Sequence, residues 1–337
     1  MTTLLLLFFS FLAGSVAHGQ DAISLSAHRF AQQGFGVPKL TIHGHTSGSI
    51  QTQLTCDGRR FTQNADIEPG SSMEIELTGL SVGQHTCTGQ LNLQTKDGGT
   101  GQMPLNLTVG VLTPLTLTVA PEDLDLDSRT MRVRASRPLS HIHVDIIGAD
   151  GSVIGTGEAP VDNQDGADLE WSQSPGEVVK LRVTAKDVYA LPGKLELSPW
   201  SYSIPHEDIV FASGKADIHL NEEHKLDAAW TDIQHVLAKY GQIVTVNLYI
   251  AGYTDTVGNA TQNKTLSIAR ARSIAAWFKQ RGFSGSIHYQ GFGEAVLAVS
   301  TGDEVAEAAN RRAVYLLAAQ KPAKSTLVPT TQWTRLQ

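Results

Sequence analysis

The chain has 337 residues, of which 26 are Lys or Arg and 33 are Asp or Glu, so its formal net charge is -7. This length is too great for one ordinary domain and predicts two or three domains. Neither half of the chain is strongly basic, and binding to nucleic acid requires clustered Lys and Arg. Nucleic acid is therefore excluded as a partner.

The first 19 residues have the pattern of a secretory signal peptide. A run of Leu and Phe over residues 4–12 is followed by small residues, with cleavage motifs that end at Ala17 and Gly19. No Lys or Arg precedes the run. The alternative is an uncleaved anchor, but a full span needs about 20 apolar residues, so we expect residues 1–19 to be removed. No Cys follows the run, which excludes lipid attachment at a lipobox-type cysteine.

The chain contains two cysteines, Cys56 and Cys87, and both lie in segments with the pattern of a strand. An even number of cysteines in an exported chain favours a disulfide bond. Two buried free thiols are the alternative. Because of the export signal, we predict a bond between Cys56 and Cys87.

Residues 20–204 show one short strand pattern after another. Alternating segments such as 73–77 and 131–134 are separated by turn signals such as Asp57-Gly58 and Asp150-Gly151. Short alternating strands at this spacing are typical of β-sandwiches. A seam at about residues 110–121 divides the region, so we predict two β-sandwich-like domains in tandem, residues 20–110 and 111–204.

After Pro205 strands alternate with helices, which predicts an α/β domain over residues 205–320. Asn221 is expected to cap the first helix, because a side-chain oxygen at this position can accept from the free N–H groups of the first turn. Residues 321–337 contain two prolines and little apolar pattern, which predicts a flexible tail. The predicted strands are 209–211, 244–250, 286–289 and 313–317, and the second helix is predicted over 264–281.

The residues that carry chemistry are concentrated in this last domain. Asp255 lies on a loop flanked by Gly252 and Gly258, and Arg270 follows at a helical distance from the loop. A carboxylate and a planar guanidinium in one cleft would suit a small ligand that carries both an ammonium and a carboxylate. No nucleophile with a base, metal-ligand set or phosphate-binding loop accompanies them, so the pattern predicts a binding module and not an enzyme, with no cofactor.

The ordered motif blocks of residues 209–319 resemble those of the OmpA-like peptidoglycan-binding domain. The resemblance rests on Phe211 and on the blocks 252–255, 263, 266–267, 270–271, 291–294 and 310–312. It implies a βαβαββ arrangement of helices on a mixed sheet. It also implies binding, without cleavage, of the peptide stem of peptidoglycan, in most relatives through diaminopimelate. The proline that often follows the 291–294 block in relatives is missing here.

Roles for the site residues follow from this resemblance and from charge. Asp255 is expected to take the ammonium of diaminopimelate and Arg270 its carboxylate. Asn263 is expected to hold the loop or to donate to the ligand. By similarity with the family motif, Arg311 forms a second cationic edge of the cleft. The predicted ligand-binding set is Gly252, Thr254, Asp255, Asn263, Arg270 and Arg311, with Gly252 and Gly258 allowing the loop to approach the ligand.

Several residues have a structural alternative. Asp255 and Arg270 could instead form a structural salt bridge, although the ordered blocks argue against this. Glu294 is expected to fix a turn or to pair with an arginine. Arg312 is expected to be structural, because successive strand residues face opposite ways, and Tyr253 is expected to pack. The histidine pairs at 43/45 and 141/143 could bind a metal, but no third ligand accompanies them, so we predict no metal site.

The sequence thus predicts a multidomain protein, all-β and then α/β, that tethers its amino-terminal domains to the cell wall. We expect it in the periplasm of a Gram-negative bacterium, associated with the wall or the outer membrane, with an unidentified envelope protein as a further partner of the β domains. The alternatives are a membrane-anchored envelope or stator-type protein with the same domain, and a peptidoglycan hydrolase. The hydrolase is disfavoured because Ser267 has no evident base.

Overall fold

A computed structural model describes residues 22–212, 214–322, 324–326, 328–329 and 332–337. The predicted signal peptide, residues 1–19, lies outside the described residues. The described part forms a β-rich amino-terminal region in several sheets, followed by an α/β region with a mixed sheet. This confirms the predicted fold class.

The first β region consists of two sheets that pack face to face. Their apolar sides meet in one core, in which Ile42 and Leu54 are fully buried. The sheet orders are β1-β3-β6 and β2-β8-β7-β4-β5. The strands are β1 (Ile23–His28), β2 (Phe30–Gln32), β3 (Lys39–Gly44), β4 (Gly48–Cys56), β5 (Arg59–Ile67), β6 (Ser72–Glu76), β7 (Gly83–Thr95) and β8 (Thr100–Leu112).

A disulfide bond between Cys56 and Cys87 joins β4 to β7, as predicted. The two residues are direct partners in the ladder, with their Cα atoms 4.1 Å apart, and both are fully buried. The bond closes a loop with a sequence separation of 31 residues. In the chain-entropy model, such a loop stabilises the fold by roughly 3–4 kcal/mol.

The second β region is built around one long hairpin, β11 and β12. The register of this hairpin shifts between Arg134 and Leu139, and the two halves of β11 have different further partners. The first half pairs with β9 and β10, the second with β14, and both halves enclose one core. The strands are β9 (Leu117–Thr118), β10 (Leu124–Asp125), β11 (Thr130–Ile147), β12 (Val153–Glu170), β13 (Ser172–Gln173), β14 (Lys180–Asp187) and β15 (Pro192–Leu197).

The α/β region has two helices on a five-stranded sheet of order β16-β19-β17-β18-β20. Strands β17 and β18 are parallel and the other pairs are antiparallel. Buried residues of both helices, such as Ile233 and Phe278, form the core with the sheet. The elements are β16 (Ser201–Ser203), α1 (Glu223–Tyr240), β17 (Asn247–Tyr253), α2 (Ala260–Gln280), β18 (Ile287–Gly293), β19 (Ala313–Ala318) and β20 (Thr334–Arg335).

The first strand of this sheet differs from the prediction. Residues 209–211 form no strand, and β16, which the sequence analysis assigned to the second β region, occupies that place beside β19. At Ala313 the backbone N–H of β19 donates to the carboxylate of Asp208 instead of to a strand. Ile209 is still buried in the core. The apolar run 209–211 therefore correctly indicated that Ile209 is buried, but its prediction as a strand was wrong.

The helix starts also differ from the prediction. Asn221 does not cap α1: it lies in a 3-10 turn, Leu220–Glu222, and the helix follows that turn. The carboxylate of Glu222 instead accepts from the backbone N–H of Val210 and from Lys225, which ties the helix start to the preceding segment. Helix α2 begins one turn earlier than expected, because Asn259 accepts from the backbone N–H groups of Thr261 and Gln262.

Part of the carboxy-terminal segment is ordered against the sheet, whereas the sequence predicted a flexible tail over 321–337. Thr334 and Arg335 of β20 pair with β18. The ring of Trp333 packs edge-on against Tyr249, with a centroid distance of 5.1 Å. An aromatic anchor and two ladder residues are too short a signal for sequence periodicity to detect.

Candidate functional site

A cleft of about 940 Å³ opens where β17 ends and α2 begins. The turn between these elements carries the side chains that the sequence singled out, because β17 delivers Thr254 and Asp255 at its carboxyl end and α2 starts five residues later. Among the lining residues are Phe211, Thr254, Asp255, Gly258, Asn263, Leu266, Arg270 and Arg311. The structure thus brings five of the six predicted site residues to this one cleft.

Asp255 is largely buried and is paired with Arg311. Its Oδ2 accepts from Arg311 Nη1 at 2.8 Å, and its Oδ1 accepts no hydrogen bond from the part of the chain that the structure describes. The side chain of Asp255 is 11% exposed and that of Arg311 is 46% exposed. The alternative of a salt bridge between Asp255 and Arg270 is wrong, because the partner comes from the segment before β19.

Arg270 lies on α2 and is held by the chain that precedes α1. Its Nε donates to the carbonyl oxygen of Lys215 at 3.0 Å, and its guanidinium lies 4.9 Å from the ring centroid of Phe211. Burial lowers the pKa of Arg270, the carboxylate of Asp255 opposes this shift, and the charge of Arg311 adds to it. A guanidinium remains protonated in proteins even so. Arg270 is therefore a fixed, partly desolvated cation that interacts electrostatically with the carboxylate of Asp255.

Asn263 holds the loop on which Asp255 lies. Its side-chain amide nitrogen faces the carbonyl oxygens of Asp255 at 3.4 Å and Val257 at 3.1 Å. It also donates to Glu294 Oε2 at 2.7 Å, so Glu294 fixes the turn through Asn263. Of the two roles predicted for Asn263, its contacts support the structural one. Thr254 is buried, and its backbone N–H donates to the carbonyl of Gly293.

The glycines serve different purposes. A Cβ atom at Gly252 would lie 2.5 Å from the carbonyl oxygen of Ser267, so this glycine lets α2 pack closely on β17. Gly252 does not line the main cleft but a smaller cavity of about 300 Å³ beside Arg270, and its approach to a ligand stays a prediction. Gly258 has a φ of 93° and an open environment, which fits the predicted tight turn.

The loop over residues 298–307 forms a rim of the cleft that sequence reasoning missed. The hydroxyl of Thr256 donates to the carbonyl of Gly302 at 2.8 Å, and Glu304 Oε2 accepts from the backbone N–H of Gly258 at 3.1 Å. The buried Asn310 accepts from the backbone N–H groups of Ala298 and Val299. Asn310 belongs to the motif block 310–312. An asparagine beside two arginines was therefore the available signal for a residue that holds this loop.

Arg311 and Arg312 have different partners, although both line the smaller cavity beside Arg270. Arg311 faces the cleft, whereas the guanidinium of Arg312 lies 4.1 Å from the ring centroid of Tyr253. Tyr253 is buried and stacks on Phe292. Burial raises the pKa of Tyr253 to about 12. Arg312 and Tyr253 therefore form a packed pair beneath the site.

Three of the four paired histidines, His43, His45 and His143, make hydrogen bonds to neighbouring side chains. His43 contacts the hydroxyls of Ser26 and Ser72, and His143 contacts the carboxylate of Asp145. Within the described ranges, no three His, Cys, Asp or Glu side chains are grouped so as to hold a metal ion. None of the helices in the described part of the chain is both long and apolar enough to cross a bilayer.

Comparison with known proteins identifies the domain that carries the cleft. Residues 210–311 match the model of the OmpA family. Outer membrane protein A of Serratia odorifera is 34% identical over 89 residues, which are 26% of this chain and 35% of that protein. Outer membrane protein P5 of Haemophilus influenzae is 32% identical over 91 residues, 27% of this chain and 23% of that protein. The chain thus spans about a third or less of these relatives.

Among solved structures, the OmpA-like domain of FopA1 from Francisella tularensis aligns with 43% of this chain and 77% of its own, at 18% identity and a TM-score of 0.26.

Proposed function

Because residues 210–311 form a domain of the OmpA family, we propose that the cleft binds peptidoglycan through the diaminopimelate of its peptide stem. Binding is non-catalytic, and it tethers the amino-terminal β regions to the cell wall. The proposed units are residues 20–110 and 111–204 for the β domains and 205–320 for the wall-binding domain.

The observation that carries this proposal is the placement of opposite charges in one cleft. Diaminopimelate carries an ammonium and a carboxylate on one carbon, at the end of its side chain. Oδ1 of Asp255 is available for the ammonium, while Oδ2 is held by Arg311. Arg270 uses Nε and Nη2 for backbone carbonyls and keeps Nη1 for the carboxylate. Both groups are partly desolvated, which strengthens charge-assisted hydrogen bonds.

The surroundings of Ser267 favour binding over hydrolysis. This serine is fully buried; its hydroxyl donates to the carbonyl of Lys264 at 2.8 Å and accepts from the backbone N–H of Gly293 at 2.9 Å. An activated nucleophile needs a neighbouring base and access to the substrate. Ser267 instead fastens α2 to β18, so the disfavoured hydrolase has no support from this residue.

We place the protein in the periplasm of a Gram-negative bacterium, at the cell wall or the outer membrane. The names of the relatives, outer membrane proteins A and P5, support an envelope location. Peptidoglycan is the proposed partner of the cleft, and an envelope protein is proposed for the β regions. A membrane-anchored or stator-type protein is the alternative. The mass of the mature chain distinguishes the two, because an anchored protein retains residues 1–19.

The test is co-sedimentation of the purified chain with diaminopimelate-type peptidoglycan. Asp255→Asn and Arg270→Ala should each abolish most binding, since removing one partner of a desolvated charged contact typically costs about 2–5 kcal/mol. Asp232→Asn on α1 and Arg272→Ala on α2 make the same charge changes outside the cleft and should bind normally. Lysine-type peptidoglycan, which lacks the second carboxylate, should bind weakly.

Retention of binding by both cleft variants, with native circular dichroism, would place the site elsewhere. Release of soluble fragments from peptidoglycan by the wild-type chain would revive the hydrolase. Arg270→Lys separates charge from shape: it keeps the cation but loses the planar fork, and it should bind more weakly than the wild type.

A further inference from the structure

The outer face of the larger sheet in the first β region is almost free of charge. Apart from Pro104 and Gly110, its outward positions on β4, β5, β7 and β8 carry amides and hydroxyls, with Arg60 and Asp66 as the only charged residues. Soluble proteins usually cover such faces with Lys and Glu. The composition of this face therefore needs another explanation.

Four amides form a straight line across this sheet, which we call the amide row. Its members are register partners on neighbouring strands: Asn64 pairs with Gln51, Gln51 with Asn92, and Asn92 with Gln102. Neighbouring strands are about 4.8 Å apart, so the row is roughly 14 Å long. A second line runs parallel to it, formed by Asp66, Ser49, Gln94 and Thr100.

These two lines enclose a shallow trough of about 830 Å³. Within it, Gln102 donates to Asn92 at 3.0 Å. The amides of Gln51, Asn64 and Gln94 have no hydrogen-bond partner among the residues that the structure describes. Each primary amide carries two donors and one acceptor. The trough therefore offers several unused, neutral hydrogen-bonding groups in a fixed arrangement.

The chemistry of these groups selects the class of ligand. A polyanion would need clustered Lys and Arg, which the trough lacks. The core of a protein interface is apolar and rich in aromatic residues and arginine, which are also missing from the trough. Hydroxyl and N-acetyl groups, by contrast, both donate and accept, as amides do. Alternate strands of the sheet are about 9–10 Å apart. This spacing is comparable with the length of one disaccharide unit of a linear glycan.

We propose that the amide row binds a neutral, N-acetylated glycan chain that lies across strands β5, β4, β7 and β8. This is a second binding site, separate from the cleft at Asp255, and it does not depend on the ligand of that cleft. Each amide contact is individually weak, because a neutral hydrogen bond replaces one to water. If both sites meet one polymer, the link between them raises the apparent affinity without any further contact.

The experiment uses the full chain and chitohexaose, a neutral oligomer of N-acetylglucosamine that carries no peptide stem. Titration is followed through the side-chain NH₂ signals of Asn and Gln in nitrogen-15 NMR spectra. We expect saturable shifts of the Gln51 and Asn64 signals. The double variant Gln51→Glu with Asn64→Asp, which keeps the shapes but exchanges donors for negative charge, should bind at least about tenfold more weakly.

Gln63→Glu is the matched control, because Gln63 is also exposed on β5 but faces the opposite side of the sheet. It should bind as the wild type does. Absence of any shift with chitohexaose overturns the proposal, and so does equal binding by the double variant. Displacement of chitohexaose by heparin would also overturn it, because it would show a site for polyanions. Since chitohexaose has no diaminopimelate, these outcomes leave the function proposed for the cleft untouched.

Discussion

Asp255 and Arg311 form an ion pair at the cleft, with Arg311 Nη1 2.8 Å from Asp255 Oδ2. The carboxylate is largely buried and the guanidinium is about half exposed. Arg311 thus compensates the burial of Asp255 and fixes its orientation before any ligand arrives. A group already held in its binding geometry loses less conformational entropy on association, which favours affinity.

Arg311→Ala should weaken both the fold and the binding of peptidoglycan. The pair is intermediate between an exposed one, worth about 0–1 kcal/mol, and a buried one. We therefore expect a loss of about 1–2 kcal/mol in the free energy of unfolding, measured with denaturant. Arg272→Ala serves as the control. Tighter binding by Arg311→Ala would mean that Arg311 competes with the ligand for Asp255, contrary to a supporting role.

Asn263→Ala should lower binding although Asn263 is not required to touch the ligand. The substitution removes the amide that holds the backbone at Asp255 and Val257, and a lost or unsatisfied buried hydrogen bond costs about 1–3 kcal/mol. Asn263→Asp should be more harmful, because it sets a second carboxylate against Glu294. Gln280→Ala, at the exposed end of the same helix, should change neither stability nor binding. Normal binding by a folded Asn263→Asp protein would be incompatible with this role.

The first β region should lose stability as the pH rises above about 6.5. The buried His85 is bonded to the backbone carbonyl of Ser81 and to the carboxylate of Asp57, and these acceptors raise the pKa of His85 from its value of 6.5 in the unfolded chain. The folded state thus binds the proton more tightly, so the contribution is complete below pH 6.5 and disappears as the pH passes the raised pKa.

Thermal unfolding across this pH range, followed in the wild type and in His85→Gln, measures the effect. In His85→Gln, the stability should no longer contain the pH-dependent contribution that the wild type shows. His45→Gln, an exposed histidine of the same region, is the control and should retain it. A wild type that becomes more stable between pH 6 and pH 8 would contradict the assignment of this effect to His85.

The α/β region should need residues outside the predicted boundaries, 205 and 320, for its full stability. Trp200 is buried and packs on Tyr240, with a centroid distance of 4.6 Å, and Ile204 is also buried in the same core. Removal of one large buried side chain typically costs about 3–5 kcal/mol. A fragment of residues 198–337 should therefore unfold at a clearly higher denaturant concentration than residues 206–320, and equal midpoints would refute this.

Much of the fold class and of the site could be predicted from the sequence, because the signals are local or ordered along the chain. Alternation of apolar residues indicated the β region, and the two cysteines indicated their bond. Asp255, Asn263 and Arg270 occur within sixteen residues, on one turn and the helix that follows it. Their positions relative to one another are largely set by that local structure, so their convergence on one cleft was predictable.

Other features depend on which distant segments become neighbours, and only the tertiary structure decided them. Asp255 pairs with Arg311 and not with Arg270, because β19 runs beside β17 and brings residue 311 to the end of that strand. Ser201–Ser203, and not residues 209–211, supplies the first strand of the sheet beside β19. The amide row exists only once four strands are in register. Pattern along the chain specifies conformation and which side of an element is buried, whereas contacts across a sheet depend on strand order and register, which no local pattern contains.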